Sequence, residues 1–223
     1  MTTFVLVPGM CHGGWCFDPV AAPLRAAGHT VLAVTPTGVA ERAHLLHAGV
    51  NLDTHIDDVV SVLSAYTDEP VILVGHSYGG MVITGVAAHV PERVDALVYL
   101  DAVVPRAGES CADLVDDEER RWYLQSDASG FGVPPLPFFD ARATAHPRAS
   151  VLQPLRCGVD LNRFRRREYV YALDWPGESP LRFAYDRVRD DPNWICHELD
   201  ARHNLMRDAP DDLVEILVDV AAH

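Results

Sequence analysis

Four apolar residues, Val71-Ile72-Leu73-Val74, run straight into Gly75-His76-Ser77-Tyr78-Gly79, and apolar sequence resumes from Gly80 to His89 before Pro91. A short β-branched apolar run is the pattern of a buried strand, and the stretch after the glycines reads as a buried helix. Joining the two takes a sharp turn. Glycines stand where a Cβ would clash as the serine backbone is forced into a strained conformation. The turn lifts the Ser77 hydroxyl above the end of the strand and points the following backbone N–H groups, at a helix N-terminus, toward it.

The same alternation recurs along the chain. Strand candidates are Phe4–Val7, Thr30–Val34, Val71–Val74, Ala96–Leu100, Glu168–Ala172 and Trp194–Glu198. Helix candidates are Pro19–Ala27, Asp53–Tyr66, Gly80–Val90, Pro180–Arg189 and Pro210–Ala222. Strands alternating with helices imply an α/β fold: a mostly parallel six-stranded sheet with helices on both faces. The 223 residues suit one domain, residues 1–223. The alternation fails between about Pro105 and Arg167, where prolines and the aromatics Trp122, Tyr123, Phe131, Phe138 and Phe139 gather. So long an interruption inside a compact domain is usually functional, and we expect a lid insertion over the strand ends.

A net charge of −14 argues against nucleic acid and anionic membrane as partners, because both would repel the chain. No apolar stretch has the length of a membrane span, and no signal peptide is visible at Met1-Thr2-Thr3-Phe4. The cysteines Cys11, Cys16, Cys111, Cys157 and Cys196 are odd in number and lack C-x-x-C spacing. Free thiols in a cytoplasmic setting are expected. No cofactor is expected, and the histidines show no metal-ligand pattern. A homodimer through lid or helix surfaces stays open.

A strand–turn–helix context makes G-x-S-x-G a nucleophile elbow, and a serine hydroxyl needs a base to take its proton. With this elbow the base comes after the acid in chain order, on a loop beyond the last strand. His203 occupies that place. The acid must lie at the same sheet edge, and two aspartates end strands there. Asp174, on the strand leading up to the last one, is favoured; Asp101, next to the elbow, is the alternative acid or else orients a loop. The oxyanion hole needs two backbone donors, taken as Tyr78 N–H and Met10 N–H in the loop Pro8 to Trp15. His12, Trp122 and Phe131 are candidates for the substrate pocket. His55 and His146 are among the histidines with no comparable placement.

The chain resembles the hydroxynitrile lyase and plant methylesterase branch of the α/β-hydrolase superfamily, especially its bacterial esterase-like members. The likeness rests on Phe4-Val5-Leu6-Val7 leading to Cys11-His12-Gly13-Gly14-Trp15, on Ala26-Ala27-Gly28-His29, on Val71 to Gly80, on Leu97 to Pro105 and on the His203 segment. It departs at Pro8-Gly9, where the branch has His-Gly, and at Arg202, where Asp or Gly is common. It departs again at Asn204, where the cyanohydrin-cleaving lyases carry a Lys. The resemblance implies a serine hydrolase for carboxylic esters, lactones or thioesters with a small-molecule substrate. A C–C lyase using the same triad is the alternative, and a non-catalytic ligand binder on this fold is the third reading.

Overall fold

The computed structural model describes residues 1–223. Its main sheet is built from β1 (Thr3–Val7), β2 (Thr30–Ala33), β3 (Val71–His76), β4 (Val94–Leu100), β7 (Arg166–Ala172) and β8 (Ile195–Leu199). A two-stranded pair, β5 (Gly132–Val133) and β6 (His146–Pro147), lies in the excursion between β4 and β7. The six main strands run in the order β2-β1-β3-β4-β7-β8, all parallel. The main helices are α1 (Asp18–Ala26), α2 (Leu52–Tyr66), α3 (Gly79–His89) and α8 (Pro210–Ala222). Shorter ones are α4 (Asp117–Tyr123), α5 (Arg148–Leu152), α6 (Arg182–Asp186) and α7 (Leu205–Asp208).

The apolar runs are continuous because both faces of the sheet are covered, and successive side chains divide between the two faces. Phe4, Leu6, Ile72, Val74, Val98 and Val170 pack with Val20 and Leu24 of α1 and Leu213 and Leu217 of α8. Val5, Val7, Leu73, Leu97, Tyr99 and Tyr169 pack on the other face with Ile56, Val59 and Leu63 of α2 and Met81, Val82 and Val86 of α3. Asn51 begins α2 with a capping box, its side chain accepting from Thr54 N–H. The Pro180–Arg189 segment departs from expectation: regular helix is confined to Arg182–Asp186, and turns carry the chain on to Pro192.

In a parallel sheet every strand delivers its C-terminal end to one edge. That edge here receives the loop after β1, Ser77 after β3, Asp101 after β4, Asp174 after β7 and His203 after β8. The excursion is tied to the first of these loops: Thr144 N–H donates to Cys11 C=O at 3.1 Å, and Cys11 N–H donates to His146 Nδ1 at 3.2 Å.

Candidate active site

Ser77 is the first residue past β3 and sits at φ +55, the left-handed region that disfavours a residue with a Cβ. Its neighbours hold it there. Ser77 N–H donates to Leu100 C=O at 3.2 Å, and Ser77 C=O accepts from Gly80 N–H at 3.1 Å and Val103 N–H at 3.3 Å. The flanking glycines serve close approach rather than positive φ. A Cβ on Gly79 would run into Val7 C=O, and one on Gly80 into Val103 C=O. Gly9 of the first loop passes so near that a Cβ there would stand 2.9 Å from the Ser77 Cβ. The serine is half-buried where the first loop meets the start of α3.

His203 Nδ1 lies 2.7 Å from Asp101 Oδ2. A carboxylate only accepts, so the imidazole proton sits on Nδ1 and Nε2 is left with its lone pair as a base. Asp101 is fully buried, at φ +39, and its N–H donates to Val170 C=O at 2.7 Å. Two neighbours fix this turn. Trp175 Nε1–H donates to the same Oδ2 at 3.0 Å, and its ring lies 5.1 Å from the His203 ring. The buried Tyr169 hydroxyl donates to Ala102 C=O at 2.9 Å and accepts from Ala102 N–H at 3.1 Å. Backbone outliers held in this way by several partners are typical of functional sites.

Asp174, the favoured acid of the sequence reading, does not meet His203. Its side chain is 70 % exposed and faces Arg202, with 3.7 Å between Arg202 Nε and its Oδ2. The backbone explains this. Asp174 N–H donates to Ala201 C=O, which turns the carboxylate outward, and the next residue, Trp175, points in to Asp101. The side chain that reaches the histidine is the alternative, Asp101.

His76, inside the elbow, supports the base from behind. Its Nε2–H donates to His203 C=O at 2.8 Å, and the two rings are 4.5 Å apart. Burial, and then the charge His203 can carry, push the His76 pKa well below the usual value. Met10 and Tyr78 are buried, and neither uses its backbone N–H in a backbone hydrogen bond. Among the pocket candidates, His12 packs on Phe139 at 5.0 Å and Trp122 packs on the same ring at 5.7 Å. Phe131 is not part of this group. It is 44 % exposed, and only its backbone is engaged: its N–H donates to Ser129 Oγ and its carbonyl accepts from Arg148 N–H. Phe139 was missed because its partners stand far from it in sequence.

Two further buried histidines join the site through the residues that carry the amides. His55 Nε2–H donates to Thr37 C=O at 2.9 Å, so its Nδ1 accepts from the Tyr78 hydroxyl at 2.9 Å. Burial lowers the His55 pKa to about 4, and burial likewise pushes His146 well below its usual value. These groups stay neutral in the fold but take up protons when the chain unfolds. Stability is therefore unaffected well above the ordinary histidine pKa of about 6.5 and falls as pH drops from there toward about 4. Each buried histidine contributes up to about 1.4 kcal/mol per pH unit in that window. We expect the melting temperature to fall steeply between about pH 7 and pH 5; a flat profile would contradict neutral His55, His76 and His146. No group of three or more His, Cys, Asp or Glu side chains is arranged to hold a metal ion.

The geometry agrees with comparison to known proteins. The family model described as "alpha/beta hydrolase fold" matches residues 2–193. The chain belongs to the α/β-hydrolase fold family. Within this family the hydrolase is 37 % identical to the carbendazim hydrolyzing esterase of Nocardioides sp. (strain SG-4G), covering 97 % of this chain and 98 % of that one. It is 31 % identical to salicylic acid-binding protein 2 of Nicotiana tabacum, over 68 % of this chain and 62 % of that one. Among solved structures, a pyrethroid hydrolase from Sphingobium faniae JZ-2 superposes with a TM-score of 0.79 at 23 % identity, covering 99 % of this chain and 97 % of that one, a likeness of fold. The hydrolase is thus an enzyme of the methylesterase-like branch, and esterases are its relatives by sequence.

Proposed function

We propose that this hydrolase cleaves small carboxylic esters through an acyl-enzyme on Ser77, with His203 as base and Asp101 as the triad acid. The observation that carries the reading is the His203 Nδ1–Asp101 Oδ2 contact of 2.7 Å at the sheet edge that presents Ser77. Nε2 of His203 takes the Ser77 proton as Oγ attacks the carbonyl carbon, and Asp101 stabilises the imidazolium that forms. The N–H groups of Met10 and Tyr78 receive the oxyanion. The tetrahedral intermediate collapses as His203 returns the proton to the leaving alkoxide. Water, activated by the same histidine, then releases the acid.

The near-full-length similarity to a carbendazim hydrolyzing esterase places carbendazim in the substrate panel beside short p-nitrophenyl esters, lactones and thioesters. The aromatic group around Phe139 suits an apolar acyl or alcohol portion. The test is turnover across that panel with the products identified. One equivalent of carboxylic acid per alcohol released, or for a carbamate one equivalent each of amine and carbon dioxide per alcohol, supports the reading. Cleavage that yields a carbonyl product without acid would establish a C–C lyase in its place.

A further inference from the structure

In the loop after β1 the N–H groups of Cys11, His12 and Gly14 are hydrogen-bonded, while that of Met10 has no backbone partner. Gly9 C=O accepts from His12 N–H at 3.4 Å, so the Met10 N–H, trans to that carbonyl, points the opposite way. The next peptide plane is held on both sides. Its carbonyl, Met10 C=O, accepts from His12 Nδ1–H at 2.7 Å, and its N–H, that of Cys11, donates to His146 Nδ1 at 3.2 Å. Cys11 is fully buried at φ +67, a conformation that a residue with a Cβ does not keep unaided.

The hydrogen-bond chain behind His146 leaves its tautomer no freedom. Nδ1 accepts from a backbone N–H, so the ring proton is on Nε2, which lies 3.0 Å from Ser150 Oγ. Ser150 accepts there because its own proton goes to Pro147 C=O at 2.7 Å. The His146 ring also packs edge-on against Tyr78, with 4.7 Å between centroids. His146 lies on β6, within the excursion, and it touches the residues on either side of the oxyanion hole.

We propose that His146 is a positioning residue for the oxyanion hole: it locks the Met10–Cys11 peptide and so sets the direction of the Met10 N–H. Without its acceptor, a buried N–H is left unpaired in a residue already in an unfavourable conformation. The loop then relaxes by rotation at Cys11, which carries His12 away from its long 3.4 Å bond to Gly9 C=O and frees the Gly9–Met10 peptide, so the Met10 N–H turns away from the developing oxyanion. The excursion between β4 and β7 thereby supports catalysis from behind as well as bounding the substrate space. The inference rests on the serine-hydrolase reading above.

Steady-state kinetics on a p-nitrophenyl ester, with inhibition by a trifluoromethyl ketone that forms a tetrahedral adduct, test it in three variants. His146→Leu should lower kcat by roughly 10- to 100-fold with KM little changed, less than the loss of an oxyanion donor itself. Its ketone Ki should weaken by the same factor. His146→Asn, whose Oδ1 can stand near the place of Nδ1 and accept from Cys11, should recover most of kcat and Ki. Ser150→Ala keeps the ring but leaves its buried Nε2–H without an acceptor, which loosens its hold on Cys11, and should lower kcat by a smaller factor, on the order of 3- to 10-fold. Folded His146→Leu with wild-type kcat and Ki would overturn the proposal, as would equal impairment of the Leu and Asn variants. If His146→Leu fails to fold, Ser150→Ala decides: unchanged kcat and Ki overturn the proposal, and a parallel loss supports it. A wild-type protein with no ester turnover would instead overturn the hydrolase reading, which keeps the two failures apart.

Discussion

Ser77→Ala should lower kcat for a short p-nitrophenyl ester by about 10^6-fold while the protein stays folded. The size of the effect follows from chemistry, since without Oγ no acyl-enzyme forms and His203 has no proton to take. What survives is the modest help that the two amides give to attack by water. Folding should be spared because the change removes one half-buried hydroxyl and keeps the Cβ that already occupies the left-handed position. Circular dichroism and a melting curve beside the rate measurement check both halves. A Ser77→Ala protein with more than a few per cent of wild-type kcat would mean that the elbow serine is not the nucleophile.

Asp101→Asn should lower kcat by on the order of 10^4-fold, and Asp174→Asn should change it less than about twofold. In the first variant the side-chain amide can donate to His203 Nδ1, which moves the imidazole proton to Nε2 and removes the lone pair that would take the Ser77 proton. Val170 C=O still accepts from the backbone N–H of residue 101, whereas Trp175 Nε1–H, bound to that same Oδ2, loses its acceptor when the amide NH2 stands there, so the base is left in the wrong tautomer and less firmly held. Asp174 offers the opposite case. Its carboxylate is exposed and meets only Arg202, and pairs of that kind are worth little in water. Kinetics of the two asparagine variants side by side separate the aspartates: a larger loss in Asp174→Asn would restore the strand-end acid that the sequence favoured.

That choice marks the limit of what the sequence discloses. The sheet was legible because strands buried on both faces must be apolar throughout, and each of the six candidates matches an observed strand to within two residues at both ends. Ser77 was legible for the same reason, its turn being flanked by two runs whose periods differ. His203 followed from position, as the histidine on the loop after the last strand. The acid was not legible by that logic, because Asp101 and Asp174 both end strands and both precede His203. What separates them is which way one residue of backbone turns. Composition held a clue: Asp101 lies within Ala96 to Val104, otherwise without a charge, and a carboxylate buried in such a run needs a partner. Arg202, unusual before the base, was likewise a hint that Asp174 has a partner outside the site. The roles of His55, His146, Trp175 and Phe139 come from contacts across the fold, such as that of Cys11 with His146, 135 positions further along the chain. No local spacing encodes such pairs.

The most direct test of Ser77 as an activated nucleophile is labelling of the folded protein with a fluorophosphonate, followed by mass spectrometry of the peptides. A single adduct on Ser77, formed quickly in the wild type, lost in Ser77→Ala and strongly slowed in Asp101→Asn, is the predicted result. An unlabelled native protein, or an adduct on any other residue that forms as fast in Asp101→Asn as in the wild type, would contradict the account.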